Sequence, residues 1–148
     1  MEDNTKKETI RNLINQSKLA VLSTVTPENT AESAVIEIST RDNFELIFDT
    51  LPTFRKYSNL RNNQDVSVVI GWEPATIQYE GIAVELGGKE LEEYKQVHFN
   101  KFPEAVKFEK LGVKFFKIVP KWIRYTDVFK QPWGVFEVEF PVSSVRSL

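Results

Sequence analysis

The sequence predicts a mainly β fold of the α+β kind, in which six or seven antiparallel strands form a small barrel with helices at its periphery. Three observations support this prediction: segments rich in β-branched and apolar residues recur along the chain, turn residues separate them, and few segments have helical periodicity. Closing such strands into a barrel removes exposed sheet edges. The 148 residues fit one domain, 1–148, with a single core.

The N-terminal third of the chain is predicted to be one helix followed by three strands. Thr5 and Glu8 have the spacing of a capping box, which predicts a helix from Thr5 to residue 16. The strands are predicted at residues 19–25, 31–39 and 44–49. Because the connections between them are short, we expect these three strands to form an antiparallel meander.

The remainder of the chain is predicted to contain longer strands and three short helices. Thr53 is expected to cap a helix that ends near residue 62. Pro120 is expected to interrupt the sixth strand. The other predicted elements are strands 66–70, 75–86, 113–119 and 122–128, helices 89–100 and 103–112, an extended segment 133–140 and a flexible tail 143–148.

The composition excludes several classes of function. The absence of cysteine excludes disulfides and thiolate-ligated metals, and the single histidine, His98, argues against a Ser-His-Asp triad and histidine-rich metal sites. The charged helix around His98 predicts a surface position for it. A net charge of −2 gives no electrostatic footprint for nucleic acid or an anionic membrane. The polar N-terminus and the lack of a long apolar run predict a cytoplasmic protein.

The segment from residue 49 to residue 60 has the composition of an anion-binding site. Arg55 and Lys56 lie in the first turn of the predicted helix, where positive charges oppose the helix dipole unless an anion binds between them and the free amides. A phosphate is the simplest such anion, since Arg binds it bidentately and Lys supplies a point charge. The hydroxyls of Thr50 and Thr53 could add hydrogen bonds. Taken alone, a pair of cations is more typical of a solvated helix face than of a site.

Four motifs in order resemble the FMN-binding split-barrel family that includes pyridoxamine phosphate oxidase and the general-stress-protein flavoproteins. The resemblance covers roughly residues 10–128. The motifs are a strand Ser33-Ala34-Val35-Ile36-Glu37, a loop with Thr50, Thr53, Arg55, Lys56, Asn59 and Leu60, a long strand with Gly81 near its centre, and the run Pro120-Lys121-Trp122-Ile123-Arg124-Tyr125.

The resemblance implies an FMN site at the interface of a homodimer. The backbone of the second strand would lie against the flavin ring, and the Thr-containing loop and its basic residues would hold the phosphate. The cofactor-binding residues it implies are Val35, Ile36, Glu37, Asp49, Thr50, Thr53, Arg55, Lys56 and Gln78. A flavin-dependent oxidoreductase acting on a small molecule, with NADH or NADPH as a candidate electron donor, is the leading hypothesis. A non-catalytic flavin-binding or stress-associated protein and a cofactor-free interaction module are the alternatives.

The chain departs from the family pattern at a few positions. The usual basic residue in the flavin strand is absent and acidic Glu37 is present, which implies that FMN is held weakly or is lost on purification. The C-terminal Arg-x-His signature of true vitamin B6 oxidases is also missing, so pyridoxine phosphate oxidation is not expected.

Trp72 is expected to pack in the core or at its rim, and Trp122 and Arg124 are expected to pack at a subunit interface.

Overall fold

The protein is a curled antiparallel sheet with helices at its periphery, which confirms the predicted split-barrel α+β class. The computed structural model describes residues 1–141, and the predicted tail at 143–148 lies outside the described residues. The helices are α1 (Asp3–Gln16), α2 (Arg55–Asn62), α3 (Gly88–Lys101) and a 3₁₀ helix (Pro103–Leu111). The strands are β1 (Leu19–Val25), β2 (Ala31–Glu37), β3 (Ser39–Thr40), β4 (Leu46–Thr50), β5 (Asp65–Ile70), β6 (Thr76–Glu85), β7 (Lys114–Asp127) and β8 (Gly134–Glu139).

The strand order is β2-β1-β5-β6-β7-β4-β3, and β8 pairs with β7. The β1–β2 hairpin forms as predicted, but the predicted second strand 31–39 is divided, so that the third strand, β4, pairs with its end only through the two-residue β3 and has β7 as its longer partner. Burial explains the difference. Leu46, Ile47 and Phe48 are fully buried, since the barrel core covers one face of β4 and α3 covers the other. A strand that is apolar on both faces is suited to an interior position in a sheet.

The two longest strands meet at a bulge beside Gly81. The predicted break at Pro120 is wrong, because β7 runs without interruption from Lys114 to Asp127. Gly81 lies opposite Pro120, whereas Glu80 lies opposite Trp122, so the register shifts by one residue here. Proline, which has no amide to donate, is tolerated at such a bulge. The missing Cβ of Gly81 allows the Val119 carbonyl to approach closely.

Helix α1 packs Ile10, Leu13 and Ile14 against the barrel core. It begins at Asp3, two residues before the predicted start, and its N-terminus carries no side-chain cap. The capping-box prediction for Thr5 is therefore wrong, because Thr5 lies inside the first turn and its backbone carbonyl instead accepts a bond from the Thr9 hydroxyl.

The predicted surface position of His98 is wrong. His98 is fully buried between α3 and the sheet, where its Nδ1 lies 2.7 Å from the Ser39 hydroxyl and its Nε2 has no hydrogen-bond partner among the described residues. Leu91, Tyr94 and His98 recur at helical spacing, so they share the face of α3 that packs on the sheet. Exposed charged residues such as Glu90, Glu92 and Glu93 lie on its other faces, and this is why the helix has the composition of a surface helix.

Candidate cofactor site

Two grooves lie side by side where β2, the end of β4 and the start of α2 meet, and Phe54 and Lys56 line both. The arginine groove has a volume of about 400 Å³ and is lined by Leu22, Thr24, Glu32, Ser33, Ala34, Thr53, Phe54, Arg55 and Lys56. The carboxylate groove has a volume of about 260 Å³ and is lined by Val35, Ile36, Glu37, Asp49, Thr50, Leu51, Phe54, Lys56, Phe108 and Val113.

All but one of the predicted cofactor-binding residues line these grooves. Thr53 and Arg55 lie in the arginine groove, and Lys56 lies between the two grooves. The carboxylate groove brings together Val35, Ile36, Glu37, Asp49 and Thr50. The exception is Gln78, which is exposed on β6, between Val69 of β5 and Arg124 of β7.

The turn between β4 and α2 positions the basic residues. The Phe54 amide donates to the Leu51 carbonyl at 3.1 Å, and α2 begins at the next residue. The predicted Thr53 cap is wrong, because Phe54 occupies the N-cap position and no side chain caps the helix. The first turn holds no acidic residue either. Its free amides and the helix dipole therefore favour an anion at this end of α2.

Thr50 contributes less to an anion site than the sequence implies. Its side chain is buried, and its hydroxyl donates to the Leu51 carbonyl at 3.2 Å. This bond holds the turn that leads into α2. Thr53, by contrast, is exposed and lines the arginine groove.

Lys56 is a partly buried cation without a close ionic partner. Burial lowers the pKa of Lys56, and the negative charge of Asp49 opposes that shift. Its Nζ lies 5.0 Å from the centroid of the Phe54 ring, and Lys56 forms no salt bridge within residues 1–141. Burial also raises the pKa of Asp49, and the nearby charge of Glu37 raises it further. A desolvated ammonium of this kind is stabilised when an anion binds beside it.

Arg55 differs from Lys56 because it already has a carboxylate partner. Its Nη1 lies 2.9 Å from Glu32 Oε2, and Asn59 Nδ2 donates to Glu32 Oε1 at 2.9 Å. Asn59 also donates to Thr24 Oγ1 at 3.0 Å. The sequence interpretation missed Glu32. The available signal was strand alternation, which places Glu32 on the same side of β2 as buried Ile36.

Trp122, Arg124 and Trp72 lie outside both grooves. Trp122 Nε1 donates to Glu137 Oε1 at 2.9 Å, and Arg124 Nε donates to Glu137 Oε2 at 3.0 Å. Trp72 does not pack in the core, because the residue is 64% exposed. It packs edge to face on Phe129, with the ring centroids 5.8 Å apart.

The strand order and the paired grooves define a split β-barrel protein with a candidate anion site. The family model described as pyridoxamine 5'-phosphate oxidase matches residues 7–127, and the chain belongs to this family. No curated protein sequence matches the chain. Among residues 1–141, no helix has both the length and the apolar character needed to cross a membrane.

Several solved structures are similar to the chain. General Stress Protein 26 from Bacillus anthracis is 27% identical, with a TM-score of 0.66 over 81% of this chain and 92% of that one. A heme binding protein from Mycobacterium smegmatis is 14% identical, with a TM-score of 0.79 over 90% of this chain and 57% of that one. A pyridoxamine 5'-phosphate oxidase-related, FMN binding protein from Nostoc punctiforme is 8% identical, with a TM-score of 0.67 over 96% and 98%. At such low identities the last two show a shared fold.

Proposed function

We propose that this protein binds FMN across the arginine and carboxylate grooves and acts as an FMN-dependent oxidoreductase. The observation that carries the proposal is Lys56, a partly buried cation without an ionic partner that lies between the two grooves at the start of α2. The family to which the chain belongs and the FMN binding protein with the same fold support it. FMN, when bound, would supply the redox chemistry.

The residues around the grooves suit the two ends of such a ligand. Lys56, the free amides of α2 and the Thr53 hydroxyl would hold the phosphate. The apolar surfaces of Val35 and Phe108 would flank the ring in the carboxylate groove. Asp49 is the group in that groove best suited to hold a proton, since burial raises its pKa.

We expect Lys56→Ala to weaken FMN binding by about 10- to 150-fold, the range for a lost charge-assisted hydrogen bond. Riboflavin lacks the phosphate, so its affinity is expected to change little. Quenching of flavin fluorescence measures both dissociation constants. The matched control is Lys89→Ala, because Lys89 also lies in the first turn of a helix, is exposed and is outside both grooves. Equal losses for FMN and riboflavin in Lys56→Ala would contradict a phosphate site.

Reduction by a nicotinamide cofactor distinguishes an enzyme from a flavin-binding protein of the same fold. With FMN bound, the proposed oxidoreductase should be reduced by NADH or NADPH under anaerobic conditions, seen as bleaching of the flavin absorbance. An oxidised flavin that persists with both donors would leave the binding proposal intact and remove the support for catalysis with a nicotinamide donor.

Heme is less suited to this chain than FMN. The similar protein from Mycobacterium smegmatis is a heme binding protein, and a histidine is a common axial ligand of heme iron. His98 is the single histidine of this chain. It is fully buried beneath α3 and lines neither groove, so its ring is not available to a ligand there.

We propose further that the protein is an isologous homodimer. Val21, Val35 and Val69 are exposed side by side on β1, β2 and β5, where Val21 lies opposite both of the others. Val35 also lines the carboxylate groove, so a partner that covers this apolar stripe would reach the cofactor site. An interface of this kind is expected to bury more than about 1,600 Å² in total.

Light scattering at micromolar concentration is expected to give twice the chain mass of 17.1 kDa. Val21→Glu should shift the protein toward the monomer, because it places a charge at the centre of the covered stripe. The control is Val106→Glu, an exposed valine on the 3₁₀ helix. A monomer mass for the unmodified protein would refute the dimer.

A further inference from the structure

We propose that Glu32 is a specificity-determining residue of the candidate cofactor site. Its carboxylate occupies the position on Arg55 that a ligand phosphate would take, and so it reduces the preference of the site for phosphorylated over non-phosphorylated flavin. This inference rests on the proposed function.

The carboxylate of Glu32 is held in place from two sides. Arg55 contacts Oε2 at 2.9 Å, and Asn59 donates to Oε1 at 2.9 Å. Asn59 is buried and is itself fixed by its bond to the Thr24 hydroxyl, which is also buried. The Glu32 side chain is only 24% exposed, so its carboxylate is a fixed part of the arginine groove wall.

An incoming phosphate therefore encounters two different cations. Lys56 has no ionic partner, whereas Arg55 is already paired with Glu32. A flavin phosphate that binds Lys56 alone lies near the negative charge of Glu32, and like charges in one site repel each other. A phosphate that also binds Arg55 must share the guanidinium with Glu32 or displace its carboxylate, so it again meets the negative charge of Glu32. Both arrangements cost affinity that riboflavin does not lose.

The ion pair contributes little to the stability of the fold. Arg55 is 73% exposed, and pairs between exposed charges are screened by water. The network is thus more important for positioning the carboxylate than for folding. Replacing Glu32 by glutamine preserves its shape and an acceptor for Asn59, while it removes the charge and releases Arg55.

The test compares Glu32→Gln with the unmodified protein in titrations with FMN and riboflavin, followed by flavin fluorescence. We expect the FMN dissociation constant to fall about tenfold or more, as one charge-assisted contact is gained. The riboflavin dissociation constant should stay within about twofold, since no phosphate is involved. Glu32→Ala is a second variant with the same expectation if the glutamine is poorly tolerated. The matched control, Glu28→Gln, removes a carboxylate from the β1–β2 turn outside the groove.

The double variant Glu32→Gln/Arg55→Ala tests whether Arg55 is the cation that Glu32→Gln releases. If it is, the double variant should lose the gain in FMN affinity. An unchanged FMN affinity in Glu32→Gln, with Lys56→Ala still selective against FMN, would overturn the role of Glu32 and leave the proposed function standing. Folded protein that binds neither flavin, with glutamate or with glutamine at this position, would overturn both.

Discussion

We expect Gly81→Ala to lower the free energy of unfolding by about 3 kcal/mol, the upper end of the usual range for an overpacked core. A Cβ at this position would lie 2.5 Å from the Val119 carbonyl oxygen and 2.8 Å from Ile118 Cγ2. The first of these atoms is backbone of the paired strand β7, so it moves only if the β6–β7 pairing at the bulge moves with it. Tyr79 limits movement on the other side, since its ring lies 3.0 Å from the same point.

Urea-induced unfolding followed by tryptophan fluorescence measures this effect. The matched control is Gly134→Ala in β8, where an added Cβ meets only Lys130 Cδ at 3.6 Å and Asp127 Cβ at 3.7 Å, which are ordinary contacts. The control is expected to change stability by no more than about 0.5 kcal/mol. Equal stabilities for the two variants would show that the β6–β7 bulge is not tightly packed around Gly81.

Local sequence signals predict where the strands of this protein lie better than they predict which strands pair with each other. The hairpin of β1 and β2 depends on a short turn and on alternation within the two strands, and both are visible in the sequence. The longer partner of β4 is β7, more than sixty residues further along the chain. Nothing local identifies it. The complete burial of Leu46, Ile47 and Phe48 is the reason for this pairing, and an apolar run by itself does not show which strand will cover it.

In the candidate site, too, local sequence signals predict some residues, whereas contacts between distant elements are not predicted. The sequence predicts Lys56 as a site residue because a cation at the start of a helix opposes the helix dipole unless an anion binds there. The structure places Lys56 between two grooves. Glu32 was not predicted, although it contacts Arg55 in the arginine groove. Its effect depends on Asn59, which a different element supplies from 27 residues away. Contacts between elements of this kind become visible only when the sheet order is known.

The buried histidine makes the stability of the protein dependent on pH. Burial and, to a smaller extent, the positive charge of Lys101 together lower the pKa of His98 from 6.5 to about 4. In the unfolded chain the ring regains its ordinary pKa of 6.5. Between these two values the unfolded chain binds a proton that the folded protein excludes. The free energy of unfolding therefore falls as the pH decreases through this window, and the histidine has no effect on it above the window.

We expect the loss to reach on the order of 3 kcal/mol at the acidic end of the window, since one pKa unit corresponds to about 1.4 kcal/mol. Urea unfolding at a series of pH values from 7.5 down to 4.5 measures the slope. His98→Gln is the control, because glutamine retains a polar partner for Ser39 and does not titrate. Carboxylates such as Asp49 contribute to both proteins, so the difference between the two slopes isolates the histidine. Two parallel curves would show that His98 takes up its proton in the folded protein, and that the packing of α3 over Ser39 opens readily to water.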